Sequence, residues 1–421
     1  MIWHIITLTL ICFFSLELRA EEIESIKIEN LAKKAIENSR LLAAKDLQIL
    51  AKRNYSEQAT AFQNPQLSFS IGKRESQGGS FSIPYSNMVN GEQYQFGISQ
   101  PFYFPGKRDL QKKIFEKEGE LSEIEKSELE LEIYYTISFY AYETFVTGLK
   151  EKHARERARR FRMLQGFLRS RPFASPMQKA QKTIAENKLK ILESQIVDIQ
   201  YKREILKNQI RLYTEVPEKF SIQSRLFSEV PDLNKEELFA EAKKNSLILK
   251  KLNKERESKD LQAKYSAKQM YPDITVSGFF GKQTLDNKET YYGLGLDIPI
   301  PILNQNKAKI KGLEQEISSY QIQYEFEEQK LEREIGKLFL RYTAAKEKIK
   351  LLSPNLLEAG HRQMNYADSI FRRGLIGFTD YLNAESEDDL LHKAILGSHL
   401  EMAGIQLQAW KITGKINPIT F

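Results

Sequence analysis

Two histidines, His392 and His399, stand seven residues apart in the last part of a 421-residue chain. That spacing returns to one face of a helix, where two imidazoles could be presented together to a metal ion. No third ligand is evident nearby, and a pair of this kind is more often simply half-buried. Just upstream, the carboxylates of AESEDDLL, residues 384 to 391, read as a solvated helix face. No Ser/His/Asp grouping, phosphate-cradling loop or metal-spaced cluster stands out. Neither enzymatic activity, a cofactor nor a resident metal is therefore expected. The single cysteine, Cys12, lies in an apolar stretch from Ile5 to Leu16 that is short for a membrane helix and is followed by the small residue Ala20. Residues 1–20 read as a secretory signal peptide. The chain beyond it has no thiol, which excludes zinc–thiolate sites, thiol catalysis and a disulfide framework.

The elements that would position any such chemistry are long and polar. Mean hydropathy is −0.48 and charged residues make up 28% of the chain, with only 13 prolines and 21 glycines over its length. Such a composition points to extended amphipathic helices rather than a compact α/β enzyme. The net charge of +7 could suggest nucleic acid. Lys and Arg are interleaved with Glu, however, as in KEGELSEIEKSELELE, and no base-reading motif accompanies them, so nucleic acid is not an expected partner.

The chain reads as one unit written twice. ENLAKKAIENSRLL aligns with EELFAEAKKNSLIL, pairing Leu31 with Leu238, Ala35 with Ala242 and Asn38 with Asn245. NPQLSFSIG aligns with YPDITVSGF, pairing Pro65 with Pro272, and FLRSRPFASPMQKA aligns with FRRGLIGFTDYLNA. Each unit is ordered as helix, strand pair, long helix, turn and returning helix. The boundaries that follow are 21–213 for the first repeat, 214–234 for an inter-repeat segment with a small strand region, 235–414 for the second repeat and 415–421 for a loose C-terminal tail.

The strand pairs alternate with period two. Leu67, Phe69, Ile71, Tyr94, Phe96 and Ile98 oppose Ser68, Ser70, Gly72, Gln95, Gly97 and Ser99, and Ile274, Val276, Tyr292, Leu294 and Leu296 repeat the greasy face later. Sandwich strands show the same alternation. Strands of roughly ten residues also match the length needed to cross a bilayer obliquely. Tyr85, Tyr94, Phe102, Tyr103, Phe104, Tyr271, Phe280 and Tyr291, near strand ends, would suit an interfacial aromatic girdle. Four strands cannot close a barrel, so insertion would demand an oligomer that pools them. Helical patterns follow, from Gly106 to about Ser170 and from Asn306 to about Arg373, each on the order of 100 Å at 1.5 Å per residue. Pro101, Pro105 and Gly106 in QPFYFPGKR, and Pro299 and Pro301 in IPIPILNQNKAKI, are expected to stop the ladder and fix the swivel from strand to helix.

On the duplicated strand pair with its long helix, the two proline junctions and FRRGLIGFTDYLNAESEDDLL, the chain resembles the TolC-type outer-membrane efflux family over almost its full length. That resemblance implies a mainly α fold with membrane β: a homotrimer with a twelve-stranded outer-membrane β-barrel, four strands per chain, continued by a periplasmic α-helical barrel. It implies a passive exit duct whose partners are outer-membrane lipid, a periplasmic adaptor and an inner-membrane pump. The FPGKR junction is similar to the branch serving cation and heavy-metal pumps of the resistance-nodulation-division type. Type I protein secretion is the alternative within transport, and a secreted coiled-coil scaffold the alternative outside it. By residue matching, Ser170, Arg171, Pro172, Arg373, Gly374 and Leu375 would form adaptor-facing tips. Asp380 would fall where the family can place a ring of carboxylates at the closed end. Asn383 stands where a second acidic residue can occur, Ile376 where a basic gate residue can, and Phe371 where a hydrogen-bonding tyrosine can. The resemblance therefore implies a constriction of Asp380, Asn383 and Phe371 held more by packing than by ion pairs.

Overall fold

The computed structural model describes residues 24–77, 88–170, 175–227, 230, 232–284, 288–301 and 305–417. Residues 1–20, expected as a signal peptide, lie outside them, as do Tyr85, Arg171 and Pro172. In chain order the elements are β1 (Glu24–Lys27), α1 (Ile28–Glu37), α2 (Arg40–Gln58), β2 (Gln66–Gln77), β3 (Met88–Phe102), α3 (Lys107–Arg169), α4 (Pro176–Tyr213), β4 (Phe220–Gln223), α5 (Lys235–Asn245), α6 (Leu247–Lys268), β5 (Ile274–Thr284), β6 (Lys288–Asp297), α7 (Lys307–Leu351), α8 (Asn355–Arg372) and α9 (Phe378–Ile412). The chain divides into two compact units, one of residues 43–127 and 247–329, the other of residues up to 42, 128–246 and 330–421.

The first unit holds an antiparallel sheet in the order β2-β3-β5-β6. Its register sets Phe69, Phe96, Phe280 and Tyr292 in one row and Leu67, Ile98, Gly278 and Leu294 in the next. The apolar residues of all four strands thus share one face, and they are exposed. The opposite face carries small and polar side chains with the Phe279 and Tyr291 rings among them. Two of its glycines are required by close approach. The Phe279 ring comes within 2.6 Å of where a Cβ of Gly293 would lie, and Tyr291 lies across Gly281. Tyr291 therefore packs on the small-residue face, where its hydroxyl accepts a hydrogen bond from Gln93 Nε2 at 2.7 Å, and does not join a girdle with Tyr94 and Phe280.

The ladder runs one residue past Pro101, to Phe102 against Ile274. The swivel itself is made by Gly106, whose φ of +84° suits a residue without a Cβ. Lys107 then donates to the Tyr271 carbonyl at 2.7 Å and to Asp273 Oδ1 at 2.8 Å, and Phe104 N–H donates to the same carboxylate at 2.8 Å. At the second junction β6 ends at Asp297, just before Pro299 and Pro301, and Asn306 takes the left-handed conformation with φ of +52° before α7 begins. Asparagine tolerates that region better than most side chains.

The second unit holds α4, α8 and α9 with the part of α3 from Glu128 onward. No proline interrupts α3, whose 63 residues rise about 95 Å at 1.5 Å each. The expected continuous helix from Asn306 to Arg373 is instead two, because Pro354 can donate no hydrogen bond and the chain breaks at Ser353–Pro354 between α7 and α8. Ser175 caps α4, accepting from Gln178 N–H while Gln178 reaches back to the Ser175 N–H, with Pro176 in the first helical position. The inter-repeat segment supplies β4, which pairs in parallel with β1, a strand the sequence pattern did not reveal. The start of the C-terminal tail is tied down rather than loose. Tyr135 donates to the Lys415 carbonyl at 2.6 Å and accepts from Asn417 N–H at 3.1 Å.

Candidate functional site

The ends of α3, α4, α8 and α9 in the second unit share one core. Ala158, Phe161, Leu164 and Leu168 recur at steps of three and four along α3 and pack with Leu189 and Leu192 of α4, Met364 of α8 and Tyr381 of α9. Phe371 is buried there, its ring 5.0 Å from that of Tyr381 and 6.1 Å from that of Phe167. Within one chain Phe371 is thus a packing residue. Tyr381 keeps a polar contact, its hydroxyl 3.5 Å from Asp368 Oδ1, and Asp368 also pairs with Arg372 at 2.8 Å. Burial raises the Tyr381 phenol, so it stays protonated.

The turn from α8 to α9 is closed by Gly374, with φ of +77°, while Leu375 N–H donates to the Ile370 carbonyl at 2.9 Å. Arg373 and Leu375 are exposed. Asp380 is also exposed, in the first turn of α9, where its Oδ2 accepts from Gly377 N–H at 3.1 Å. A carboxylate there satisfies an otherwise unpaired donor and faces the positive end of the helix dipole. Asn383 is exposed three residues on, close to one helical turn from Asp380. Ser170 closes α3 by donating its hydroxyl to the Phe167 carbonyl at 2.9 Å.

Deeper along α9 the carboxylates expected on a solvated face are partly buried. Glu385 is 1% exposed and Asp388 5%. Arg157 on α3 pairs with Glu385 at 2.5 Å and with Asp389 at 2.6 Å, and Arg160 pairs with Asp388 Oδ2 at 2.8 Å. These are desolvated ion pairs joining α3 to α9, and removing one partner would leave a charge without compensation. The sequence carries the signal in retrospect: Arg157 and Arg160 repeat at i, i+3 on α3, as Glu385 and Asp388 do on α9. Only the docking of the two helices makes the pairing visible.

The two histidines singled out by their spacing do not act together. His399 stacks on Phe227, the ring centroids 5.9 Å apart, and its Nδ1 accepts from Phe227 N–H at 3.2 Å. Burial lowers its pKa to about 4. His392 stands instead beside His153 of α3, the two rings parallel with centroids 3.5 Å apart, and 3.2 Å from Asp388 Oδ1. Burial, followed by the neighbouring His392, lowers His153 to about 3, so its imidazole is neutral at ordinary pH. His361 of α8 lies at the rim of this pair.

Residues 238–397 match the family model described as outer membrane efflux protein. Among curated proteins no sequence matches significantly. The solved structure of the outer-membrane channel OprN is similar with a TM-score of 0.72 at 15% identity, covering 92% of this chain and 89% of its own. CusC, whose structures describe transmembrane channel formation, gives 0.71 at 14% identity over 95% of both chains. VceC of Vibrio cholerae, an outer membrane protein, gives 0.67 at 16% identity over 92% of this chain and 96% of its own. Residues 238–397 thus carry the outer membrane efflux protein signature, and over more than nine-tenths of its length the chain adopts the fold shared by OprN, CusC and VceC.

Proposed function

We propose that the chain is the outer-membrane exit duct of an export system, a homotrimer that conducts passively what an inner-membrane pump delivers through a periplasmic adaptor. The observation that carries this reading is the exposed apolar face running unbroken across β2, β3, β5 and β6. An apolar sheet face of this extent with two open edges is a liability in water. It becomes an asset when three copies pool twelve strands into a closed barrel in lipid. The recurrence of helix pair, strand pair and long helix on either side of β4 supports an internal duplication.

A second face needs company. Met177, Ile184, Ile191, Ile205 and Leu212 are exposed along α4 at multiples of seven residues, with Asp198 the interruption. A seven-residue apolar repeat is a coiled-coil seam, and a helix of a neighbouring copy would cover it. In the trimer, three Asp380 side chains brought near one axis would attract cations and repel each other, forming the narrow end with Asn383. The tips at Ser170, Arg171, Pro172, Arg373, Gly374 and Leu375 would meet the adaptor. The FPGKR junction supports a pump of the resistance-nodulation-division type, with cations or drugs as cargo.

The test is conductance. The purified protein reconstituted in a planar bilayer is expected to give discrete, uniform steps. A species that stays soluble without detergent and never conducts would replace the duct with a secreted scaffold.

A further inference from the structure

We propose that His153, Asp388 and His392 form a buried site for one divalent transition-metal ion of the zinc class per chain. One ligand atom from each of the three lies within 4.8 Å of the others, and all three residues are buried. They come from two helices, α3 and α9, so the site exists only when those helices are docked. The inference concerns the single chain and does not depend on a pore.

The independent sign of a missing ligand is the state of the polar atoms. His153 is 7% exposed, yet neither of its ring nitrogens has a hydrogen-bond partner, and Asp388 Oδ1 also has none. An Asp389 carboxylate oxygen stands 3.9 Å from His153 Nε2, beyond hydrogen-bond distance. Leaving such atoms unmatched in a dry interior costs free energy that a bound cation would recover. His392 Nδ1 is 2.9 Å from the Asp388 carbonyl oxygen and 3.2 Å from Asp388 Oδ1, so the carboxylate and both imidazoles meet at one point.

The surroundings suit a cation of this class. Two imidazoles and a carboxylate are the donor set of zinc, and no thiolate competes to change the preference. Arg160 holds Asp388 Oδ2 and leaves Oδ1 turned toward His392, the kind of outer support that orients a ligating carboxylate. Around the cluster Arg157 and Arg160 face Glu385, Asp388 and Asp389, so carboxylate charge exceeds guanidinium charge before an ion enters. Lys393 also bonds Asp389, but from the solvent side. His361, half-exposed on α8 with its ring 4.9 Å from that of His392, stands where a fourth ligand or an entry route would be needed.

One rearrangement is required. The His153 and His392 rings lie parallel, within 10° of each other, so their lone pairs run side by side rather than converging. The χ2 torsion of histidine is soft, and a splay of the two rings brings the nitrogens onto one ion. The bound ion would then brace α3 against α9 two turns beyond Asp380.

The detergent-solubilised full protein, stripped with a chelator, should be titrated calorimetrically with Zn2+ alone. One saturable site per chain is expected, and His153→Gln and His392→Gln should each weaken it by more than about tenfold, while His399→Gln leaves it intact. Because a substituted core can misfold, zinc-edge X-ray absorption on the unsubstituted protein gives a second reading: at least two imidazole ligands are expected in the first shell. Absence of a saturable site, equal binding by the His153 and His392 variants, or an all-oxygen shell would each overturn the site.

Discussion

Asp380 illustrates how one side chain can hold two jobs that a single substitution separates. Its carboxylate accepts from Gly377 N–H at the start of α9, so Asp380→Ala should cost about 0.5–2 kcal/mol in unfolding experiments. Asp380→Asn keeps an acceptor there and should leave stability nearly unchanged, yet it removes the charge and should alter block of single channels by cations. Unchanged block would remove Asp380 from the constriction. Within the ion-paired seam, Glu385→Gln leaves Arg157 with Asp389 alone and should destabilise by less than the roughly 3–5 kcal/mol of a fully broken buried pair, whereas replacing Arg157 and Glu385 together by Met and Leu should cost less still. His399 supplies a pH signature. Its pKa falls from 6.5 to about 4 on burial, so the unfolded chain binds a proton that the folded chain refuses. Stability from this group is full above pH 6.5 and is lost as pH falls toward 4, a limb that His399→Gln should flatten in urea titrations at stepped pH. At this scale the sequence was least legible. Asp380 was singled out only by the resemblance that FRRGLIGFTDYLNA carries, and His153 lies more than two hundred residues before Asp388 and His392, where nothing local marks it. The carboxylates of AESEDDLL were misread because burial here is set by the partner helix, not by their own.

The elements speak more plainly, because their causes are local. Alternation in LSFSIG and YQFGIS, an unbroken run without proline after Gly106, and the proline-rich junctions all precede the features they announce. The Ser353–Pro354 break was equally written in the chain, and the helical periodicity on either side of it concealed the interruption. The small strand region expected between the repeats is β4, but its four-residue partner β1 was beyond reach, since a strand that short owes its existence to the pairing. Gly106 tests the swivel. An alanine there would hold φ at +84° against its preference and would displace Lys268, whose ammonium donates to the Pro105 carbonyl, so Gly106→Ala should lose at least about 1–2 kcal/mol. Along α4, Ile191→Glu with Ile205→Glu should leave helix content by circular dichroism intact while weakening self-association in detergent. An oligomer indifferent to both changes would mean that the exposed repeat is not a seam between copies.

At the scale of the whole molecule the account rests on what covers the sheet. A single chain leaves β2 and β6 without a partner on one side among the described residues, and exposes leucine, isoleucine and aromatic side chains from every strand. In the proposed trimer, closure by neighbouring copies would remove both edges and place the apolar face in lipid. The most direct measurement uses the absence of cysteine beyond Cys12. With Cys12 replaced, cysteines are introduced at Leu67, Phe69 or Ile71 on β2 together with Leu294 on β6, and outer-membrane fractions are oxidised and run on denaturing gels. A Phe96→Cys and Phe280→Cys pair, opposite one another on β3 and β5, serves as the within-chain control. Closure predicts that at least one edge pair gives a covalent ladder ending at three chains. Monomers alone from every edge pair, with the control bond formed in the same membranes, would contradict the trimeric barrel and the duct built on it.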